Sequence, residues 1–123
     1  MGEKMSFLYN EENQCFCMEL NDILFSCEVD YPFLEFFAER LAQKYKSRLP
    51  FIAEYVVGNK EFIETYGGMS QEEFLIMLEE MTIPWIFLKE NNSGTIAYCD
   101  SEYVIEFCFR GDFEMFSDFS IDE

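Results

Sequence analysis

Histidine is missing from all 123 residues. Its absence removes the side chain whose ordinary pKa lies nearest neutrality and which most often ligates transition metals. It also excludes the Ser-His-Asp and Cys-His arrangements of nucleophilic catalysis. Lysine and arginine are scarce, eight against 25 aspartates and glutamates, for a formal charge of −17. Four of the eight, Arg40, Lys44, Lys46 and Arg48, fall within nine residues. Elsewhere no basic face is available to neutralise phosphates, so direct nucleic-acid binding is not expected. No apolar run approaches the roughly 20 residues that cross a bilayer, and Met1 to Met5 lacks the basic-then-apolar order of a secretory signal. The five cysteines, Cys15, Cys17, Cys27, Cys99 and Cys108, form no CxxC pair and sit in apolar segments. They read as buried, reduced thiols of a cytoplasmic protein, in surroundings that raise a thiol pKa rather than activate it. Phosphate-binding GxxxxGK[ST] and GxGxxG motifs and the spaced EF-hand pattern are absent too. The expectation is a chain without cofactor, metal site, membrane contact or catalytic activity.

What is present is apolar surface: half the residues are hydrophobic and 19% are aromatic, ample to offset the entropy of ordering one domain over residues 1–123. Alternation marks strands at Met5 to Tyr9, Gln14 to Leu20 and Ile23 to Val29, separated by the polar turns Asn10 to Asn13 and Asn21-Asp22. Asp30 is positioned as an N-cap, with Pro32 in the first helical turn. Phe33, Phe37, Leu41 and Tyr45 follow at i+4 spacing, which predicts a helix to about Arg48. Pro50 is read as the start of a second segment, Phe51 to Val57, which Gly58-Asn59 interrupts before Lys60 to Tyr66. Gly67-Gly68 ends that region. Ser70-Gln71-Glu72-Glu73 has the form of a capping box and opens a helix from Gln71 to Met81. Period-two patterning then returns in Ile83 to Lys89, Gly94 to Cys99, Tyr103 to Phe109 and Phe113 to Phe119. The order strands, helices, strands predicts an α+β fold. Its N-terminal and C-terminal meanders build an antiparallel sheet, with about three central helices packed on one face.

Several short patterns have plain structural readings. Gly67-Gly68-Met69-Ser70 echoes a phosphate cradle, but helix capping accounts for it. Carboxylate pairs such as Glu11/Glu12, Glu72/Glu73 and Glu79/Glu80 are solvated acids of turns and helices. Arg110-Gly111-Asp112 spells an adhesion tripeptide and is explained as a hairpin turn. The segment with most to offer a partner is the last: from Asp100 onward there are eight acids and one base, Arg110. Phe113 to Phe119 interleaves aromatics with acids where a final strand often forms a sheet edge. Exposed aromatics in an acidic surround make a protein-binding patch, because aromatics anchor interfaces and charge steers encounter. The candidate partner-binding residues are Asp100, Glu102, Glu106, Asp112, Phe113, Glu114, Phe116 and Asp118. Reversing Glu102, Asp112, Glu114 and Asp118 to lysine is expected to abolish capture while leaving the fold intact.

In size, acidity, lack of histidine and an acidic carboxyl-terminal meander, the chain resembles the small immunity proteins encoded beside bacterial polymorphic and contact-dependent-inhibition toxins. The resemblance implies a cytoplasmic inhibitor that neutralises a basic toxin domain, a nuclease for instance, by direct binding. The same charge logic also fits phage-encoded antagonists such as anti-CRISPR proteins and DNA mimics, and an acidic structural subunit with a permanent partner is a further alternative.

Overall fold

The computed structural model describes residues 7–29, 31–81 and 83–123. Three strands come first: β1 (Leu8–Asn10), β2 (Cys15–Leu20) and β3 (Ile23–Cys27). Asn21 and Asp22 join β2 to β3 with φ of 50° and 62°, the paired positive values of a two-residue hairpin turn that asparagine and aspartate tolerate. Helices α1 (Pro32–Val57), α2 (Lys60–Tyr66) and α3 (Gln71–Glu80) follow, then β4 (Trp85–Lys89), β5 (Ser93–Cys99), β6 (Val104–Arg110) and β7 (Met115–Asp122).

All seven strands form one sheet in chain order, β1 to β7. Each meander is antiparallel within itself, as expected, but the seam between them is not. β3 and β4 pair in parallel, Phe25 opposite Ile86 and Cys27 opposite Leu88. A parallel neighbour requires a crossover connection, and the three helices are that crossover.

Alternation fixes the two faces. The row Met18, Phe25, Ile86, Ile96 and Phe107 turns toward the helices, where it meets Leu34, Phe37, Leu41, Ile52, Val56, Phe62 and Phe74 in one buried core. Tyr55 and Phe107 lie with ring centroids 5.4 Å apart, and Phe74 meets Tyr98 edge-on at 6.3 Å. The Tyr45 and Tyr98 hydroxyls share a 2.6 Å hydrogen bond across the core. Burial pushes the Tyr45 hydroxyl up to about 12. Gly94 is required by close approach: a Cβ there would lie 2.7 Å from the Phe109 ring and nearer still to the Phe87 carbonyl oxygen.

Local signals held at several positions. The Ser70 hydroxyl accepts from the Glu73 N–H and the Glu73 carboxylate from the Ser70 N–H, each at 3.1 Å, closing the capping box of α3. Asn59 caps α2 through the Glu61 N–H, and Gly67 ends it in a left-handed conformation. Pro32 opens α1 behind Tyr31, which occupies the N-cap position without a side-chain cap. Asp30, the expected cap, and Met5, the expected start of the first strand, lie outside the described residues. The expected break at Pro50 does not occur, because α1 runs through it to Val57. Pro50 and Lys46, whose carbonyl loses its i+4 donor, both sit on the exposed side of the helix, where water can take that donor's place. Packing of Ile52, Ala53 and Val56 into the core holds the second half in line.

Candidate functional site

β7 has a neighbour on one side only, so the final strand does form an edge of the sheet. The acidic segment around it, however, is divided by the fold. β6 spans seven residues, which sets the turns at its two ends about 20 Å apart. Asp100 and Glu102 belong to one end, and Asp112, Phe113 and Glu114 to the other.

Several of the candidate residues are engaged within the protein. The Asp100 carboxylate accepts from the Glu102 and Tyr103 N–H groups, each at 2.7 Å, and from the Tyr66 hydroxyl at 2.9 Å. Burial pushes its pKa up, but these donors outweigh burial and leave it lowered. Asp112 accepts from Lys44 Nζ at 2.7 Å and from Arg40 Nε at 3.2 Å, and Arg40 also donates to Asn92 Oδ1 at 3.2 Å. Glu114 folds back to accept from the Asp112 N–H at 3.3 Å. Phe113 is 1% exposed; it packs against Phe109 at 4.9 Å and Tyr45 at 5.9 Å. It does so with a φ of 60°, a strained value for a bulky side chain that its burial offsets. Phe116 meets Tyr55 of α1 at a tilt, with centroids 5.3 Å apart, and Phe119 meets it edge-on at 6.1 Å. Phe113, expected in an exposed aromatic patch, is thus a core residue, while Phe116 is half-buried against the core and lines a surface hollow with Phe51. Lysine at position 112 would face two cations already held there, so the fourfold reversal expected to spare the fold would instead remove one of its ties.

The remaining carboxylates are differently placed. Glu102, Glu106 and Asp118 are exposed and make no ion pair among the described residues. Glu106 points from the sheet face that carries no helix, opposite Ala97 on one side and Ser120 on the other. Asp122 lies opposite Val104, two residues along β7 from Ser120. Asp118 sits at the irregularity in the β6–β7 pairing, with a φ of 56°. It borders a hollow shared with Cys108 and Ser117 of the same helix-free face.

This face also carries exposed aromatic surface. One cross-strand row reads Glu19, Leu24, Trp85, Ala97, Glu106 and Ser120; the next reads Cys17, Ser26, Phe87, Thr95, Cys108 and Ser117. Trp85 is 37% exposed, and its indole N–H donates to the buried Ser26 hydroxyl at 2.5 Å, which fixes the ring against β3. Between Trp85 and Glu106 lies a shallow trough of about 330 Å³, floored by Thr95 and Ala97 with Phe87 beside them. The cations of this face, Lys89 and Arg110, stand in a separate row with Ser93 at the end of the strands.

No protein-family model, curated protein or solved structure matches the chain.

The site is thus built from this chain's own residues. Glu106, expected at a partner-binding surface, lines this trough; Trp85 and Phe87, which line it too, were not among the expected residues. The signal was available in Trp85-Ile86-Phe87-Leu88, whose alternation sends the two aromatics to one face. What the run did not reveal was that Ile86 and Leu88 take the helix side. Among the cysteines, Cys15 and Cys17 bring their sulfurs to 3.6 Å on adjacent same-face positions of β2. Burial, reinforced by Cys15, pushes the Cys17 thiol up to about 11, a protonated group at neutral pH. No group of three or more potential metal ligands occurs among the described residues, and no helix among them is long and apolar enough to cross a membrane.

Proposed function

We propose that this protein is a non-catalytic acidic inhibitor, of the immunity-protein kind, that captures a basic partner domain such as a toxin nuclease. One observation carries the reading. Glu106, an exposed carboxylate without an ion-pair partner among the described residues, shares a trough with the exposed Trp85 on a face that no helix covers, and Asp122 lies beyond it on β7 of the same face. Two of the chain's cations are meanwhile held on Asp112. A nuclease that grips phosphates is basic around its site, and an anionic face gains both steering and complementarity against it. Aromatic surface inside the charged border supplies the desolvated anchor that charge alone lacks.

The reading is tested by titrating the purified protein against a basic toxin-nuclease domain, taken from a neighbouring gene where one encodes it. Tight binding is expected, with an association rate that falls at least tenfold between about 50 and 500 mM salt. Replacement of Glu102, Asp118 and Asp122 together by lysine is expected to slow association further while circular dichroism is unchanged. Capture at an undiminished rate by that variant, or indifference to salt, overturns the reading.

A further inference from the structure

The trough between Trp85 and Glu106 has the chemistry of a receptor for one cationic side chain. We infer that it takes an arginine of the partner, guanidinium against the Trp85 indole and N–H groups directed at the Glu106 carboxylate; this rests on the proposed capture of a basic protein.

Three observations and one point of chemistry lead there. The trough is lined by Trp85, Phe87, Thr95, Ala97 and Glu106, so its one charged group is a carboxylate. Four other hollows on the surface each contain a cation of their own: Arg48 beside Phe51, Lys89 near Glu90, Lys46 near Asp22, and Lys89 with Arg110. The carboxylates of those hollows already have a cation of the chain beside them, whereas the lining of this trough holds Glu106 and no cation. Second, Trp85, Ala97 and Glu106 are successive members of one cross-strand row, which puts the backbone under the indole about 10 Å from the backbone under the carboxylate. Ala97 between them offers only a methyl group, leaving a slot that an extended arginine can cross. Third, the hydrogen bond to Ser26 fixes the indole before any ligand arrives, so little side-chain entropy is lost on binding. Fourth, a guanidinium suits such a slot better than an ammonium. It is planar, weakly hydrated, stacks on an indole within about 6 Å of the ring centroid, and presents a fork of donors to a carboxylate.

The chain has a single tryptophan, so emission excited beyond the tyrosine absorption band reports on Trp85 in this trough. The probe is the peptide acetyl-Leu-Arg-Leu-amide, compared with counterparts carrying lysine or the neutral isostere citrulline in place of arginine. The arginine peptide is expected to change Trp85 emission saturably. The citrulline and lysine peptides should bind about tenfold more weakly or worse, and Glu106→Gln should lower arginine-peptide affinity about tenfold. Ala97→Leu, which fills the slot from an accessible position, should abolish the response. Silent emission, an equal response to citrulline or lysine, or full affinity in Glu106→Gln overturns the inference. If the peptide result fails while salt-dependent capture of the basic domain persists, the trough alone is refuted. If that capture ignores salt and the Glu102, Asp118 and Asp122 replacement, the parent reading falls.

Discussion

Asp112 and Glu106 are both acids of the β6–β7 region, yet their surroundings give them opposite tasks. Burial pushes the Asp112 carboxyl upward, but the Lys44 ammonium and Arg40 guanidinium outweigh it and hold its pKa below the ordinary carboxylate value. A carboxylate whose pKa is lower folded than unfolded stabilises fully above its unfolded value, near 4, and loses that contribution as pH falls through the folded value. The stability difference between the native protein and Asp112→Asn should therefore be constant from neutrality down to about pH 4 and shrink below it. Urea unfolding at a series of pH values measures this; a gap that stays constant into strong acid would refute the assigned ion pairs. Glu106 makes no such ion pair among the described residues, which is why the proposed capture assigns it to the partner. The sequence could not separate the two, because an acid four positions or 72 positions from its cation looks the same in one dimension. Phe113 shows the same limit: its neighbours Gly111 and Glu114 signal a turn, and nothing local announces that a turn residue is folded under α1.

At the scale of elements, the legible features were those whose cause is local. The capping box of α3, the Asn21-Asp22 hairpin and the Gly67 stop each depend on a few consecutive residues, and each was readable. Pro50 was misread for the complementary reason. A proline mid-helix is locally unfavourable by roughly 3 kcal/mol, and only the distant contacts of Ile52, Ala53 and Val56 with the core override it. Pro50→Ala restores a helix donor at an exposed site and should stabilise the protein by about 1–2 kcal/mol after the lost restriction of the unfolded chain is allowed for. Denaturant midpoints at an unchanged m-value would show it, and a destabilised variant would mean that α1 uses the irregularity.

Across the whole molecule, the −17 charge acts as a distributed stress on the compact state. Raising sodium chloride from about 10 to 150 mM shortens the range of that repulsion and should lift the melting temperature by several degrees; a fall would mean that ion pairs outweigh repulsion. The class of fold was visible in the order of elements. The parallel seam was not, because it depends on how the three helices together return the chain to the sheet, and the identity of the uncovered face was not, because it depends on which side of the sheet they settle.

That seam has a temporal consequence. Residues 28–84 separate the two strands that meet there, so a chain emerging from the ribosome completes α1, α2 and α3 before β4 exists to receive them. The core partners Ile86, Ile96 and Phe107 reach the first three strands and the helices only when nearly the last third of the chain has been made. The proposed binding face, whose central members Trp85, Ala97 and Glu106 lie on β4 to β6, is then assembled in the same closing step as the core.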